Sequence, residues 1–432
     1  MIQNPQKWKL NLLRDTSGDW VPTAGDSYDG IVSDGSGYVC FFLGTTIPRN
    51  CIASVTFLDT DEGALSHPAW NVGAKKNRPV SLWEEPDKDD ENLCHVYIGA
   101  VGGINGVIAC NSLFRDCINL REVNFNSCFH TACTEDVLYI NKFGKTSPMN
   151  VNRSEVDMSS MFKNCRLLES IDFSGWDTSC VTNTYFMFEG CSSLRSLDLS
   201  GWHTCDSRRM FYGCSSLCSL NLSGWDTSNL SSTALMFKGC SSLRSLDLSS
   251  WDTSNITDMS CLFEGCTALC SLVLSQWNTS NVCSMSYLFM DCGSLRELDL
   301  SDWDTSNVSS MDYMFCNCTS LRALNLAGWD NSHTHDMRYM FMNCSSLTTL
   351  DISHFSRPAT LDTTDMFTGC TNLKNDPWSA ADQFEQYMPK KTCEIFDPPH
   401  TTPDLPASDC SPAPNDFSTP SWMIDFSNVY KV

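Results

Sequence analysis

Twenty-five cysteines and eight histidines stand in this 432-residue chain. Thiolate and imidazole are common zinc donors and a common nucleophile–base pair, so their spacing comes first. Cys316-Asn317-Cys318 and His333-Thr334-His335 lie near one another in sequence. No second Cys-x-x-Cys or His pair stands at zinc-finger spacing, and no metal or cofactor is implied. Cys40 with His95 is a formal nucleophile–base pair, but any chain this rich in cysteine offers such pairs. Gly-x-Ser-x-Gly, P-loop and dinucleotide fingerprints are absent, so the expectation is that the protein is not an enzyme. Fifty-one acidic against 28 basic residues give a net charge of −23. Such a surface argues against nucleic acid and anionic membranes as partners.

The cysteines acquire meaning from their period. Ten times the pattern Met/Leu-Phe-x-x-Cys recurs, with its Phe at Phe114, Phe162, Phe188, Phe211, Phe237, Phe263, Phe289, Phe315, Phe341 and Phe367. From Phe162 onward the gaps are 26 residues, except for a gap of 23 between Phe188 and Phe211. A fixed period of this size marks a repeat architecture. In the coil starting at Met236, Leu243-x-x-Leu246-x-Leu248-x-x-Trp251 has the leucine-rich-repeat form, with Trp where Asn or Cys is usual. Leu246 and Leu248 alternate with Ser245 and Asp247, as a short strand requires. Asp252-Thr253-Ser254-Asn255 is turn chemistry, and Met259 to Cys266 is expected to cross the far side as a helical or 3₁₀ turn. Stacked coils bury continuous ladders, among them Trp176, Trp202, Trp225, Trp251, Trp277, Trp303 and Trp329, followed by Phe355. The fold class is thus an α/β repeat solenoid, leucine-rich-repeat-like, with one short parallel strand per 26-residue coil and an N-terminal β-rich cap.

Coils repeated by translation place column cysteines about 4.8 Å apart, whereas disulfides want Cβ atoms about 3.8 Å apart. The column is therefore expected to hold free, buried thiols. Cys218 and Cys270 stand two coils apart, too far to bridge, and some of Cys40, Cys51, Cys94, Cys110, Cys128 and Cys133 could pair. Asn-x-Ser/Thr triplets such as Asn255-Ile256-Thr257 and Asn307-Val308-Ser309 arise from the repeat and are no evidence of glycosylation.

Three segments follow: a capping segment at 1–105, the solenoid of about ten coils at 106–375, and a C-terminal cap with a Pro-rich tail at 376–432. The run Glu84-Glu85-Pro86-Asp87-Lys88-Asp89-Asp90-Glu91 reads as a solvated loop. The 48 residues from Phe114 to Phe162 are either a second degenerate coil or one coil with about 22 extra residues. Two polar columns face outward from the strands. They place Arg195, Arg244, Arg296 and Arg322 beside Asp198, Asp247 and Asp299. They read either as an Arg/Asp lattice that satisfies itself or as a ligand-binding face.

The pattern Met-Phe-x-x-Cys-x-x-Leu-x-x-Leu-x-Leu-Ser-x-Trp-Asp-Thr-Ser-Asn-Val/Ile-x-x-Met resembles the BspA-like family of bacterial leucine-rich-repeat surface proteins across about 106 to 373. That resemblance implies a surface or extracellular, adhesin-like protein whose strand face meets a protein or glycan ligand. Unlike most of that family, the chain shows no signal peptide, no membrane span and no Leu-Pro-x-Thr-Gly sorting motif. The rival readings are a structural rod of a fibre or virion, and an enzyme with its site in residues 1–105.

Overall fold

The computed structural model describes residues 32–33, 38–41, 45–58, 69–71, 81–99, 104–105, 113–125, three residue pairs between 129 and 147, and 156–373 apart from 175, 177, 180, 204–205, 275 and 353–354. Two compact units divide the chain, Met1–Tyr387 and Met388–Val432, and all described residues belong to the first. The Pro-rich tail lies outside them.

The sheet of β1 (Val32–Ser33), β2 (Tyr38–Phe41) and β3 (Thr45–Pro48) is antiparallel. A five-stranded sheet follows, built from β4 (Ile52–Leu58), β5 (Ala69–Asn71), β6 (Ser81–Pro86), β7 (Cys94–Gly99) and the later strand β9 (Glu122–Asn124). Its order is β5-β6-β7-β4-β9, with β4 parallel to both β7 and β9. Between them in sequence, β8 (Ile104–Asn105) pairs with Phe129–His130. The register Val55↔Val123 sets Ile52-x-x-Val55-x-Phe57 upon Leu120-x-x-Val123-x-Phe125, and Phe57 stacks on Phe125 at 5.1 Å. One sheet therefore runs across residue 105, and β4 behaves as one more coil. Glu84, Glu85 and Pro86 end strand β6, so only the later part of the acidic run is loop, because the β6–β7 register extends to Pro86↔Cys94.

Phe114 stacks on Phe162 at 5.3 Å, and the Phe114 and Asp116 N–H groups donate to Met161 and Lys163 carbonyls. These coils are neighbours, so the 48-residue gap is one coil carrying an insertion. The Phe ladder then continues at 5.4 to 5.8 Å through Phe367. The three-residue deletion is absorbed between Trp202 and Met210, and Phe188 still stacks on Phe211 at 5.8 Å.

The far side of the coil holds no helix. Cys261 and Gly265 have φ of 56° and 73°, in the left-handed region that breaks an i→i+4 ladder. The even N–H groups of Leu262, Glu264 and Cys266 close i→i+3 turns on Met259, Cys261 and Phe263. The odd N–H groups of Met259, Cys261, Phe263 and Gly265 donate to Ser284, Ser286, Leu288 and Met290 of the next coil. Residues alternately bond within and between coils, and the turn side becomes a parallel hydrogen-bonded ladder. The second left-handed position, just before the column Cys, holds only Asp, Asn or Gly: Asp116, Asn164, Gly190, Gly213, Gly239, Gly265, Asp291, Asn317, Asn343 and Gly369. Short Asx side chains and Gly are the residues that tolerate this conformation. Where amides stack they add a ladder of their own, with Asn343 Nδ2 donating to Asn317 Oδ1 at 2.8 Å and Asn317 Nδ2 to Asp291 Oδ1 at 2.7 Å.

The strand side is less continuous. Ser196–Asp198 pairs with Ser219–Asn221, Ser245–Asp247 with Ser271–Val273, and Ala323–Asn325 with Thr349–Asp351, each parallel and in register. No strand is assigned at 170–172 or 297–299. Three-residue strands carry few ladder bonds, so the four odd N–H bonds of the turn side, together with the buried ladders, hold the stack together.

Candidate functional site

Burial sorts the column cysteines from chemistry. Each of the nine from Cys165 to Cys370 donates its S–H to the carbonyl of the Phe in the preceding coil, at 3.0 to 3.2 Å. That same Phe carbonyl accepts the N–H of the Cys three residues on, so both of its lone pairs are occupied. A thiol suits this place because it is apolar in bulk yet still donates. The column thiols are free. Burial pushes the Cys117 and Cys266 thiols up to about 12, against an ordinary 9.0. Thiolates, the reactive form, are disfavoured in the column from Cys117 to Cys344.

Trp indoles stack from Trp225 to Trp329 at 5.9 to 6.3 Å. Trp277 and Trp329 donate Nε1–H to the carbonyls of Leu248 and Leu300 at 3.0 and 3.1 Å. The buried Nε1 atoms of Trp251 and Trp303 have no hydrogen-bond partner. The Thr-Ser-Asn turns are satisfied across coils, because Asn255, Asn281 and Asn307 donate Nδ2–H to the carbonyls of Ser228, Ser254 and Ser280 at 2.7 Å.

Arg195, Asp198, Arg244, Asp247, Arg296, Asp299 and Arg322 are all exposed on the strand side. They do not form the expected lattice. Among the described residues none of the four arginines is ion-paired. The carboxylates are taken by their own backbone: Asp198, Asp247 and Asp299 accept the N–H of Ser200, Ser249 and Ser301 at 2.9 to 3.1 Å. These backbone and serine hydroxyl bonds hold all three carboxyls below their ordinary range. Local capture of a short Asp side chain by its i+2 amide outcompetes a long Arg in water. The ion pairs gather instead on the turn side, where Lys163 meets Glu189 at 3.1 Å, Lys238 meets Glu264 at 2.8 Å and Arg338 meets Asp336 at 2.6 Å.

An open groove of about 750 Å³ crosses the strand side over the coil that lacks a strand. Leu272, Leu298 and Leu350 form its apolar floor, and Glu297, Asp299 and Asp351 supply carboxylates. Of the seven residues expected at a ligand face, Asp299 alone lines it. Asn325 and Asp351 belong to the same outward column as Asp299, while Glu297 takes the place held by Ser271 in the coil before and Ala323 in the coil after. That substitution was the available signal.

In the N-terminal sheet, Cys40 lies in β2 and its side chain falls outside the described ones. His95 instead meets Ser54 and Asp87, with Ser54 Oγ 2.8 Å from Nδ1 and Asp87 Oδ2 3.1 Å from Nε2. Among the described residues no group of three or more His, Cys, Asp and Glu side chains could hold a metal ion, and no helix is long and apolar enough to cross a membrane.

Coils stacked on a common core, each reduced to turns and at most one short strand, define a leucine-rich-repeat solenoid. The chain belongs to the family described as "Mycoplasma protein of unknown function, DUF285", whose model matches residues 139–247, 205–273, 236–325 and 270–381. This membership fits the BspA-like repeat read from the residues. Among solved structures, the chain is similar to a leucine-rich repeat protein from Bacteroides ovatus, at 17% identity over 63% of this chain and 65% of that one, with a TM-score of 0.37. The match thus spans just under two thirds of the Bacteroides protein. It is also similar to a leucine rich cell surface protein from Faecalibacterium prausnitzii, at 14% identity over 82% and 95% of the two chains, with a TM-score of 0.30. No curated protein matches the chain.

Proposed function

We propose that the repeat array is a non-enzymatic, adhesin-like binding surface, displayed at the cell surface or outside it, whose strand side meets a protein or glycan ligand. The observation that carries this reading is the set of four exposed arginines that, among the described residues, have no ion pair, in a fold that pairs Lys163, Lys238 and Arg338 on its turn side. Arg296 and Arg322 stand beside the groove-lining residues Glu297 and Ala323 in sequence. A ligand on this face meets guanidinium groups, carboxylates and an apolar floor together. Such a patterned surface governs specificity and association rate more than total affinity.

The test is a pull-down from host surface extract with the full chain, against a chain in which Arg244, Arg296 and Arg322 are changed together to Glu. These side chains point away from the core, so circular dichroism and the unfolding midpoint should be unchanged. The bound species should be lost. A folded triple variant that retains the same bound species removes the strand side as the site.

A further inference from the structure

We propose that Ser54, His95 and Asp87 form a hydroxyl-nucleophile site able to accept an acyl group from a neutral or cationic ester, a role outside the ligand-binding reading of the repeat array.

Three separate elements bring these side chains together. Ser54 stands in β4, His95 in β7 and Asp87 just past the end of β6. The β4–β7 register slips by one residue, from Ile52↔Cys94 to Ser54↔His95. Without that bulge the residue opposite His95 would be Ala53, which is buried at 3% exposure. Bulges re-aim side chains in this way and recur beside active sites.

The hydrogen bonds assign each role. Asp87 Oδ1 accepts the backbone N–H of Asp89 and Asp90 at 2.8 and 3.0 Å, leaving Oδ2 to face His95 Nε2 at 3.1 Å. These two amide bonds hold the Asp87 carboxyl below its ordinary range, with His95 adding to the effect. An ionised Asp87 accepts from Nε2–H and so leaves the lone pair on Nδ1. Nδ1 is the atom 2.8 Å from the Ser54 hydroxyl. A base in reach of a hydroxyl, itself oriented by a carboxylate, is the general arrangement for nucleophilic catalysis by serine. The imidazole is 32% exposed, so a reactant can approach.

In the step, Ser54 Oγ forms a bond to the ester carbonyl carbon while its proton passes to Nδ1. The tetrahedral adduct then breaks the carbon–alkoxy bond, and the Nδ1 proton leaves with the alcohol. Water, giving its proton to Nδ1, releases the acid and restores Ser54. Glu84, Glu85, Asp89, Asp90 and Glu91 surround the β6–β7 turn and disfavour an anionic ester.

The full chain should be treated with a neutral fluorophosphonate, and separately with p-nitrophenyl acetate, followed by intact mass and peptide mapping. The expected result is one covalent group per chain, mapped to Ser54. His95→Gln should slow modification at least tenfold, and Ser54→Ala should abolish it. Mapping on the unmutated chain does not depend on how any variant folds. No modification, modification at another residue, or a rate that falls less than tenfold in a folded His95→Gln chain would overturn the assignment.

Discussion

Trp251 and Trp277 occupy successive coils in almost identical surroundings. Both are 3% exposed, and they stack on one another at 6.2 Å with planes 8° apart. They differ in the indole N–H, since Trp277 donates to Leu248 O while Trp251 has no partner. Replacing either by Phe removes nearly the same volume, so the cavity terms nearly cancel between the two variants. Trp277→Phe also loses a hydrogen bond worth about 0.5–1.5 kcal/mol, while Trp251→Phe removes a buried unpaired donor whose desolvation costs about 1–3 kcal/mol. Trp277→Phe should therefore be the more destabilising by about 1.5–4.5 kcal/mol. Equilibrium urea unfolding followed by far-ultraviolet circular dichroism measures this, provided the slopes match, because repeat arrays can lose two-state cooperativity. Equal midpoints for the two variants, or a lower midpoint for Trp251→Phe, would refute the reasoning.

Alkaline stability should report the thiol column. The Cys266 pKa is raised from 9.0 to about 12 by burial, so below pH 9 both folded and unfolded chains hold the proton and its contribution is intact. Between pH 9 and 12 only the unfolded chain ionises, and stability falls by about 1.4 kcal/mol per pH unit for this thiol. The unfolding midpoint measured from pH 8 to 11 should drop steeply, and Cys266→Ala should lessen the slope; a flat profile would contradict the burial of the column. Gly239 has a φ of +75°, and a Cβ there meets Gly213 backbone only at ordinary contact distance, 3.5 Å. Gly239→Ala should cost about 1–2 kcal/mol from backbone strain alone, and Gly239→Asn less, as thermal melts of the two variants will show.

The repeat was legible because packing residues recur. Phe237, Cys240, Leu243, Leu248 and Trp251 are buried where the period places them. Apolar periodicity does not reveal the turn-side ladder, although the Asp, Asn or Gly before every column Cys carries its signal. Periodicity of apolar residues reports which side chains are buried and says nothing of the sign of φ. The Arg/Asp lattice failed for a different reason. Complementary charges in adjacent columns ignore the amide two residues on, which already donates to the carboxylate. The Ser54–His95 contact spans 41 residues and depends on a bulge, so no spacing rule could have found it.

Both departures from the period fall on one arc of the coil, the connection that leaves the strand and returns to the next Met. The deletion lies between Trp202 and Met210, and the insertion between Phe125 and Met158. Neither disturbs the Phe ladder, whose rings remain stacked at 5.3 Å across the insertion and 5.8 Å across the deletion. That arc is a natural splice site. A foreign loop grafted there, for example between Trp277 and Met285, gives up the cross-coil bonds of Thr279 and Asn281 but leaves the Phe ladder and the turn-side ladder to carry the stack.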